Sequence, residues 1–215
     1  MTGDSNHNME GLAKSRIEAL SDGIFAISMT LLVLSLTVPM IPVEKAPELL
    51  PGAIADIYTE FLFFTIAFFI LGGYWVAHHR ILHSIRFVDI RLIWLNMFLL
   101  FFVVLIPFFT SLSGDYDNVF EAVLLFHVNL LVASILISSI WFYSRHYLQE
   151  RGKEPIGHAA EQKVPLRVFI IPAIILLAIA VSFFDTHASM MCYLLMPVVL
   201  TIGNHLPRKK GGIIH

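Results

Sequence analysis

The chain has 215 residues, of which 57% are hydrophobic and only 14% are charged, and its formal net charge is −2. Soluble domains carry about a quarter charged residues, so this composition excludes an ordinary water-soluble fold and predicts an all-α membrane protein. The slightly acidic balance argues against a nucleic-acid-binding protein. The single cysteine, Cys192, excludes an internal disulfide and a cysteine-rich metal site.

Six stretches of the chain are apolar enough to cross a bilayer, which requires about 20 predominantly apolar residues each. The predicted spans are residues 17–38, 57–83, 92–112, 119–143, 166–184 and 188–206. Only a few residues around Asp185 separate the last two, so we expect them to form a tight antiparallel hairpin. Residues 1–215 are therefore predicted to form a single domain of six transmembrane helices.

The distribution of lysine and arginine predicts the orientation of these spans. With a cytoplasmic amino terminus, thirteen of the fourteen basic residues lie in inner segments, and only Lys45 lies in an outer loop. Because basic residues concentrate in cytoplasmic loops, we expect both termini to be cytoplasmic. The sequence has no evident internal repeat, so a pore on a symmetry axis would require several identical chains.

The first span combines a polar end with a long uncharged run. Arg16, Ser21 and Asp22 lie at its beginning, and no charge follows before Pro39. A carboxylate inside a membrane is costly, so Asp22 is expected to have a protein partner, whereas Arg16 could simply extend to the lipid headgroups. On a helix the two residues are about 240° apart, so they are expected to contact different neighbours.

Further along this span, Ile27, Thr30 and Leu34 form a stripe that continues to Val38. These positions share one face of a helix because successive residues are about 100° apart. Periodicity alone favours a packing or lipid-contacting surface, since apolar stripes usually have that role.

The second and third spans carry polar groups near the same membrane boundary as Asp22. Trp75 precedes His78 and His79 by three and four residues, and Asn96 lies on the third span. Asparagine within a span usually forms hydrogen bonds between helices. We therefore predict a network in which Asp22, Asn96 and either His78 or His79 join the first three helices.

The remaining polar residues give weaker indications. His79 and His83 have the i,i+4 spacing of a metal site. No carboxylate on the helix completes that site, so hydrogen bonding is the preferred interpretation and no structural metal is expected. His127 and Asn129 on the fourth span are interpreted as packing or lining groups. No catalytic spacing and no phosphate-binding loop is present, so neither an enzyme nor a bound cofactor is expected.

The motif Arg16-x-x-x-Leu20-Ser21-Asp22 resembles the Arg-x-x-x-Phe-Ser-Asp signature of the transmembrane protein 175 family, the lysosomal and prokaryotic potassium channels. Leu20 replaces the phenylalanine of that signature by an aliphatic residue. The resemblance continues through residues 23–34, 74–80, 94–96 and 106–108. It covers the first three helices closely, and the six-helix layout covers the rest of the chain.

The resemblance implies a single-repeat channel in the cell membrane of a prokaryote. Four identical subunits would surround a central pore lined by their first helices. The family has no carbonyl filter. Its constriction consists of apolar layers with a threonine layer among them, which on this sequence are Ile27, Thr30 and Leu34. The resemblance also implies a set of residues that hold the pore helix: Arg16, Ser21, Asp22, Trp75, His78, His79 and Asn96.

The expected function is therefore a cation channel that favours potassium modestly over sodium. Its partners would be the lipid bilayer, permeant K⁺ and further copies of the chain, with no nucleic acid. The alternative is a proton-coupled secondary transporter that uses Asp22 and the histidines of the second helix as a relay. The missing internal repeat and the lack of ionisable groups at mid-membrane argue against that alternative.

Overall fold

The structure, a computed structural model, describes residues 3–85, 88–150 and 167–196, and within these ranges it is helical without β-strands. Its α-helices are α1 (Gly3–Leu31), α2 (Ala46–Asp56), α3 (Tyr58–His83), α4 (Ile90–Asp115), α5 (Phe120–Glu150), α6 (Arg167–Ser182) and α7 (Thr186–Met191). Short 3-10 turns follow α1 at Leu32–Ser35, precede α2 at Val43–Lys45 and follow α7 at Cys192–Leu194. The all-helical class predicted from the composition is confirmed for the described residues.

Within the described ranges, four segments are long and apolar enough to cross a membrane: Lys14–Ser35, Tyr58–His83, Ile90–Asp115 and Phe120–His146. They correspond to the first four predicted spans. The shorter α6 covers most of the fifth predicted span, residues 166–184. About half of the sixth, residues 188–206, lies outside the described residues. Six spans with two cytoplasmic termini therefore stay a prediction.

The end of the first span differs from the prediction. The α-helix ends at Leu31, the 3-10 turn ends at Ser35, and Leu36 has extended backbone with φ −96° and ψ 114°. Ser35 Oγ donates to the carbonyl oxygen of Leu32 at 2.7 Å. A hydroxyl that bonds its own backbone offers the chain an alternative to further helix, and 3-10 geometry is common at helix ends. The first span thus ends three residues before the end of the predicted span, 17–38.

Helix α4 lies at the centre of the bundle, where it packs against α1, α3 and α5. Its buried residues recur every three or four positions and are Leu92, Asn96, Leu99, Leu100, Val103, Ile106, Thr110 and Ser113. Asp89 caps its first turn by accepting a hydrogen bond from Leu92 N at 3.0 Å. The second oxygen of this carboxylate accepts from the hydroxyl of Tyr143 on α5. The position of α4 is therefore fixed both by apolar packing and by this cap.

The α6–α7 connection is a short turn at the expected place. Helix α6 ends at Ser182, α7 begins at Thr186, and the two helices pack against each other. Asp185 caps α7, since its carboxylate accepts from Ala188 N at 3.0 Å.

Candidate functional site

Helix α1 has a buried face and an exposed face. Its buried face, with the 3-10 turn, consists of Ser21, Phe25, Ser28, Leu32 and Ser35, which pack against α3 and α4. These residues are separated by three or four positions, so they form one continuous stripe. Three of the five are serines. The face of α1 that packs into its own protomer is therefore more polar than the face it exposes.

The opposite face carries the predicted constriction residues, which we name the α1 stripe: Ile27, Thr30 and Leu34. Ile27 is 60% exposed, Leu34 is 74% exposed, and Thr30 is also exposed. Thr30 Oγ1 donates to the carbonyl oxygen of Ile27 at 2.8 Å, so its hydrogen is directed into its own helix. The single protomer thus presents two large apolar side chains and one hydroxyl oxygen on an uncovered surface.

A buried polar cluster joins α1, α3 and α4. His78 Nε2 lies 2.6 Å from Asn96 Oδ1, and Asn96 Nδ2 donates to Ser21 Oγ at 3.1 Å. Because an amide oxygen only accepts, His78 must carry its hydrogen on Nε2 and donate it to Asn96. All three side chains are at most 2% exposed. Buried polar groups are costly unless they are bonded, so these contacts fix the relative position of three helices.

A second contact joins α1 to α3 at the edge of this cluster. Trp75 Nε1 donates to Asp22 Oδ1 at 2.8 Å. A hydrogen bond to an ionised carboxylate is shorter and stronger than one between neutral groups. We name these five residues the polar junction: Ser21, Asp22, Trp75, His78 and Asn96.

The structure distinguishes between the two adjacent histidines. His78 is buried against Phe25, with ring centroids 5.7 Å apart. His79 is exposed, and its ring stacks between those of Trp75 and His83 at centroid distances of 5.6 and 6.1 Å. Adjacent helical residues are about 100° apart, so only one of the two can face α4. His78 is therefore the partner of Asn96.

Arg16 is not part of the polar junction. Its side chain is exposed, and within the described residues it forms no hydrogen bond or ion pair. The nearby ion pair is Lys14–Glu18, with Nζ 3.6 Å from Oε1. In the described part of the chain, no group of three or more histidine, cysteine or acidic side chains could hold a metal ion. His79 and His83 thus have no third ligand there.

Several polar contacts were not predicted from the sequence, among them one at His127 and one at Glu60. His127 is fully buried and bonds two residues of the carboxyl-terminal hairpin, with Nδ1 2.7 Å from Tyr193 Oη and Nε2 2.9 Å from Ser189 Oγ. The second contact is between Glu60 and the backbone of Thr37. No periodic pattern connects residues so far apart in the chain. The sequence feature that points to such contacts is an ionisable residue inside an apolar helix. It indicates that a hydrogen-bonding partner exists but does not identify that partner.

Comparisons with known proteins find both similar sequences and a similar fold. The family model described as endosomal/lysosomal potassium channel TMEM175 matches residues 16–107, a range that contains the whole polar junction and the α1 stripe. A potassium channel of Streptomyces collinus is 27% identical over 160 residues, which are 70% of this chain and 75% of that protein. A potassium channel of Chryseobacterium is 28% identical over 191 residues, which are 89% of this chain and 94% of that protein.

A solved structure has the same fold. The crystal structure of a lysosomal potassium-selective channel TMEM175 homolog from Chamaesiphon minutus aligns with a TM-score of 0.72 and 25% identity, covering 90% of this chain and 99% of that one. The helical fold, the apolar spans and these similarities are shared with ion channels, a class of membrane proteins distinct from enzymes. Over residues 16–107 the chain is similar to the TMEM175 family of potassium channels, and over most of its length it is similar to bacterial potassium channels.

Proposed function

We propose that this chain forms a potassium channel, modestly selective over sodium, whose constriction is the α1 stripe rather than a carbonyl filter. The observation that carries the proposal is the division of α1 into two faces. The face with Ser21 and Phe25 is fastened to its own protomer, whereas Ile27, Thr30 and Leu34 are left uncovered. In a channel family, an uncovered helix face with one hydroxyl among large apolar groups is well suited to line a pore.

The chemistry of the stripe supports selective but limited conduction. Rings of Ile27 and Leu34 would exclude water and impose a barrier on any ion that keeps its hydration shell. Thr30 gives its hydrogen to Ile27 O, so the lone pairs of its oxygen remain available to a cation. Potassium loses hydration water more easily than sodium. Four hydroxyl oxygens replace only part of the lost shell, so the expected preference for potassium is modest.

The polar junction would hold this pore helix in place. Ser21 and Asp22 bond to α4 and α3, respectively, just before the stripe begins. Arg16 and His79 belong to the same set by resemblance, and their exposed side chains would contact lipid or a neighbouring subunit. The proposed assembly is a homotetramer in a prokaryotic cell membrane, with cytoplasmic termini, permeant K⁺ and no resident cofactor.

Recordings from reconstituted protein test the pore. We expect Ile27→Ala and Leu34→Ala each to widen the constriction, because each removes a large side chain from every subunit. Unitary conductance should rise and the K⁺/Na⁺ permeability ratio should fall.

Two matched controls carry the same substitutions on other exposed faces: Ile135→Ala on α5 and Leu177→Ala on α6. Both controls should conduct like the unmodified protein. Unchanged currents in both stripe variants would show that the pore lies elsewhere. The transporter alternative predicts saturable uptake driven by a pH gradient and lost in Asp22→Asn, and nothing in the described part of the chain favours it.

A further inference from the structure

The far end of the α1 stripe, opposite the polar junction, is held by few contacts. After the 3-10 turn, Leu36 N donates to Val33 O at 3.1 Å, and residues 37–42 then continue without regular secondary structure. Pro39 and Pro42 in this stretch have no N–H group to donate. The position of residues 36–42 therefore depends on contacts with other parts of the chain.

Glu60, in the first turn of α3, contacts this segment. Its Oε2 accepts a hydrogen bond from Thr37 N at 3.3 Å. Its Cα and Cγ also lie 3.5 Å from the position that a Cβ on Gly114 would occupy, so Glu60 is close to the end of α4. Glu60 thus lies where the end of the α1 segment, the start of α3 and the end of α4 meet.

The Thr37–Glu60 bond links the exposed segment to a membrane helix. Within the part of the chain that the structure describes, this is the only hydrogen bond that joins residues 36–42 to another α-helix. Thr37 is three residues beyond Leu34, and only Ser35 at the end of the 3-10 turn and the extended Leu36 lie between them, so a shift of Thr37 would be transmitted to Leu34. One end of the stripe is therefore fixed by the polar junction and the other by Glu60.

We propose that Glu60 is a positioning residue that fixes the far end of the pore segment and thereby sets the opening at Leu34. The inference rests on the proposed function of the α1 stripe. Two other roles for Glu60 depend on its charge. An acidic residue in the first turn stabilises a helix through the helix dipole, and a carboxylate near a pore attracts cations. Positioning requires only an oxygen that accepts a hydrogen bond, which glutamine also provides.

The first test compares Glu60→Ala with Glu60→Gln in reconstituted channels. Glu60→Ala should change unitary conductance or the K⁺/Na⁺ permeability ratio by roughly twofold or more, since a hydrogen bond to a charged group is lost. Glu60→Gln should behave like the unmodified protein. Glu48→Ala is the matched control, because it removes an exposed acidic residue from the first turn of α2. Equal effects of Glu60→Gln and Glu60→Ala would overturn the proposal in favour of charge, and an unaltered Glu60→Ala channel would overturn it outright.

The second test removes the donor instead of the acceptor. Thr37→Pro deletes the N–H, and Leu36 already has the extended backbone that a following proline requires. Adding Glu60→Ala to Thr37→Pro should have no further effect. An undiminished effect of Glu60→Ala in that background would overturn the proposal.

A chemical readout does not depend on currents. In a Cys192→Ser background, a Leu34→Cys thiol should react roughly tenfold faster with a soluble thiol reagent when Glu60→Ala is also present. An equal rate would overturn the positioning role. These outcomes can be distinguished from a failure of the pore assignment. If both Ile27→Ala and Leu34→Ala leave conduction unchanged, the proposed function fails whatever the Glu60 variants do.

Discussion

At the scale of single residues, the function proposed for Thr30 depends on where its hydrogen points. Its hydroxyl donates to Ile27 O at 2.8 Å, as threonine in a helix often does. A hydroxyl oriented in this way is an acceptor towards its surroundings, which suits a cation and not an anion. The same bond holds the χ1 rotamer, so four such oxygens would be preorganised around an axis.

Substitutions at Thr30 test this idea. Thr30→Val keeps the shape and removes the oxygen, so the K⁺/Na⁺ permeability ratio should fall towards unity, by up to about fivefold for the loss of ~1 kcal/mol. Thr30→Ser keeps the oxygen and should retain most of the selectivity. Thr65→Val on α3 is the matched control, because Thr65 Oγ1 donates to Phe61 O at 2.8 Å within its own helix. A fall in Thr65→Val as large as that in Thr30→Val would contradict the assignment.

Residue spacing predicted which types of side chain contact one another, but it did not always identify the particular residues that do so. Asp22 and Asn96 were expected to have partners in neighbouring helices, because a polar group at that depth needs one. The choice between His78 and His79 depended on how α3 is rotated towards α4, which spacing within one helix does not determine. The partners of Glu60 and His127 lie 23 or more residues away along the chain, so only the packing of the helices brings them together.

At the scale of helices, the apolar runs predicted four long spans well and their ends less well. Helix α3 begins at Tyr58, one residue after the predicted start. Helix α4 begins at Ile90, two residues before the predicted start, because Asp89 caps it there. The first helix ends early because the chain changes to 3-10 geometry at Leu32. Hydrophobicity indicates which residues can lie in a bilayer. Helix ends are decided by caps and local hydrogen bonds, which a count of apolar residues does not include.

If the polar junction joins the helices, a substitution within it should lower the free energy of unfolding. Asn96→Leu leaves His78 and Ser21 buried without their partner, so the protein should lose about 1–3 kcal/mol of unfolding free energy. Unfolding in detergent micelles, followed by circular dichroism, measures this loss. Ser139→Ala is the control, because that hydroxyl bonds only within its own helix, to Ile135 O at 2.8 Å. It should change stability by less than about 0.5 kcal/mol.

A double variant separates this bonding from packing. If the amide and the imidazole act as a pair, Asn96→Leu combined with His78→Leu should cost less than the sum of the two single substitutions, since neither partner is then left unsatisfied. Strictly additive losses would show that His78 and Asn96 contribute independently.

At the scale of the whole molecule, one protomer leaves the α1 stripe uncovered, although α4 and α3 cover the other side of the same helix. A chain without an internal repeat builds a closed pore by placing the same surface of several copies around one axis. The resemblance implies four copies. The stripe would then be both the lining of the pore and the surface closest to the symmetry axis.

A pore formed by four copies predicts both the mass of the assembly and the position of Ile27 near its axis. Native mass spectrometry of detergent-solubilised protein should give a mass near four times 24.3 kDa. In a Cys192→Ser background, an Ile27→Cys thiol near the axis should form disulfide-linked dimers within each tetramer on mild oxidation. Leu176→Cys is the control, because Leu176 is similarly exposed on α6, which packs against α5 and α7. It should stay monomeric on denaturing gels. A monomeric mass, or linkage through Leu176→Cys but not through Ile27→Cys, would place α1 away from the axis and remove it from the pore.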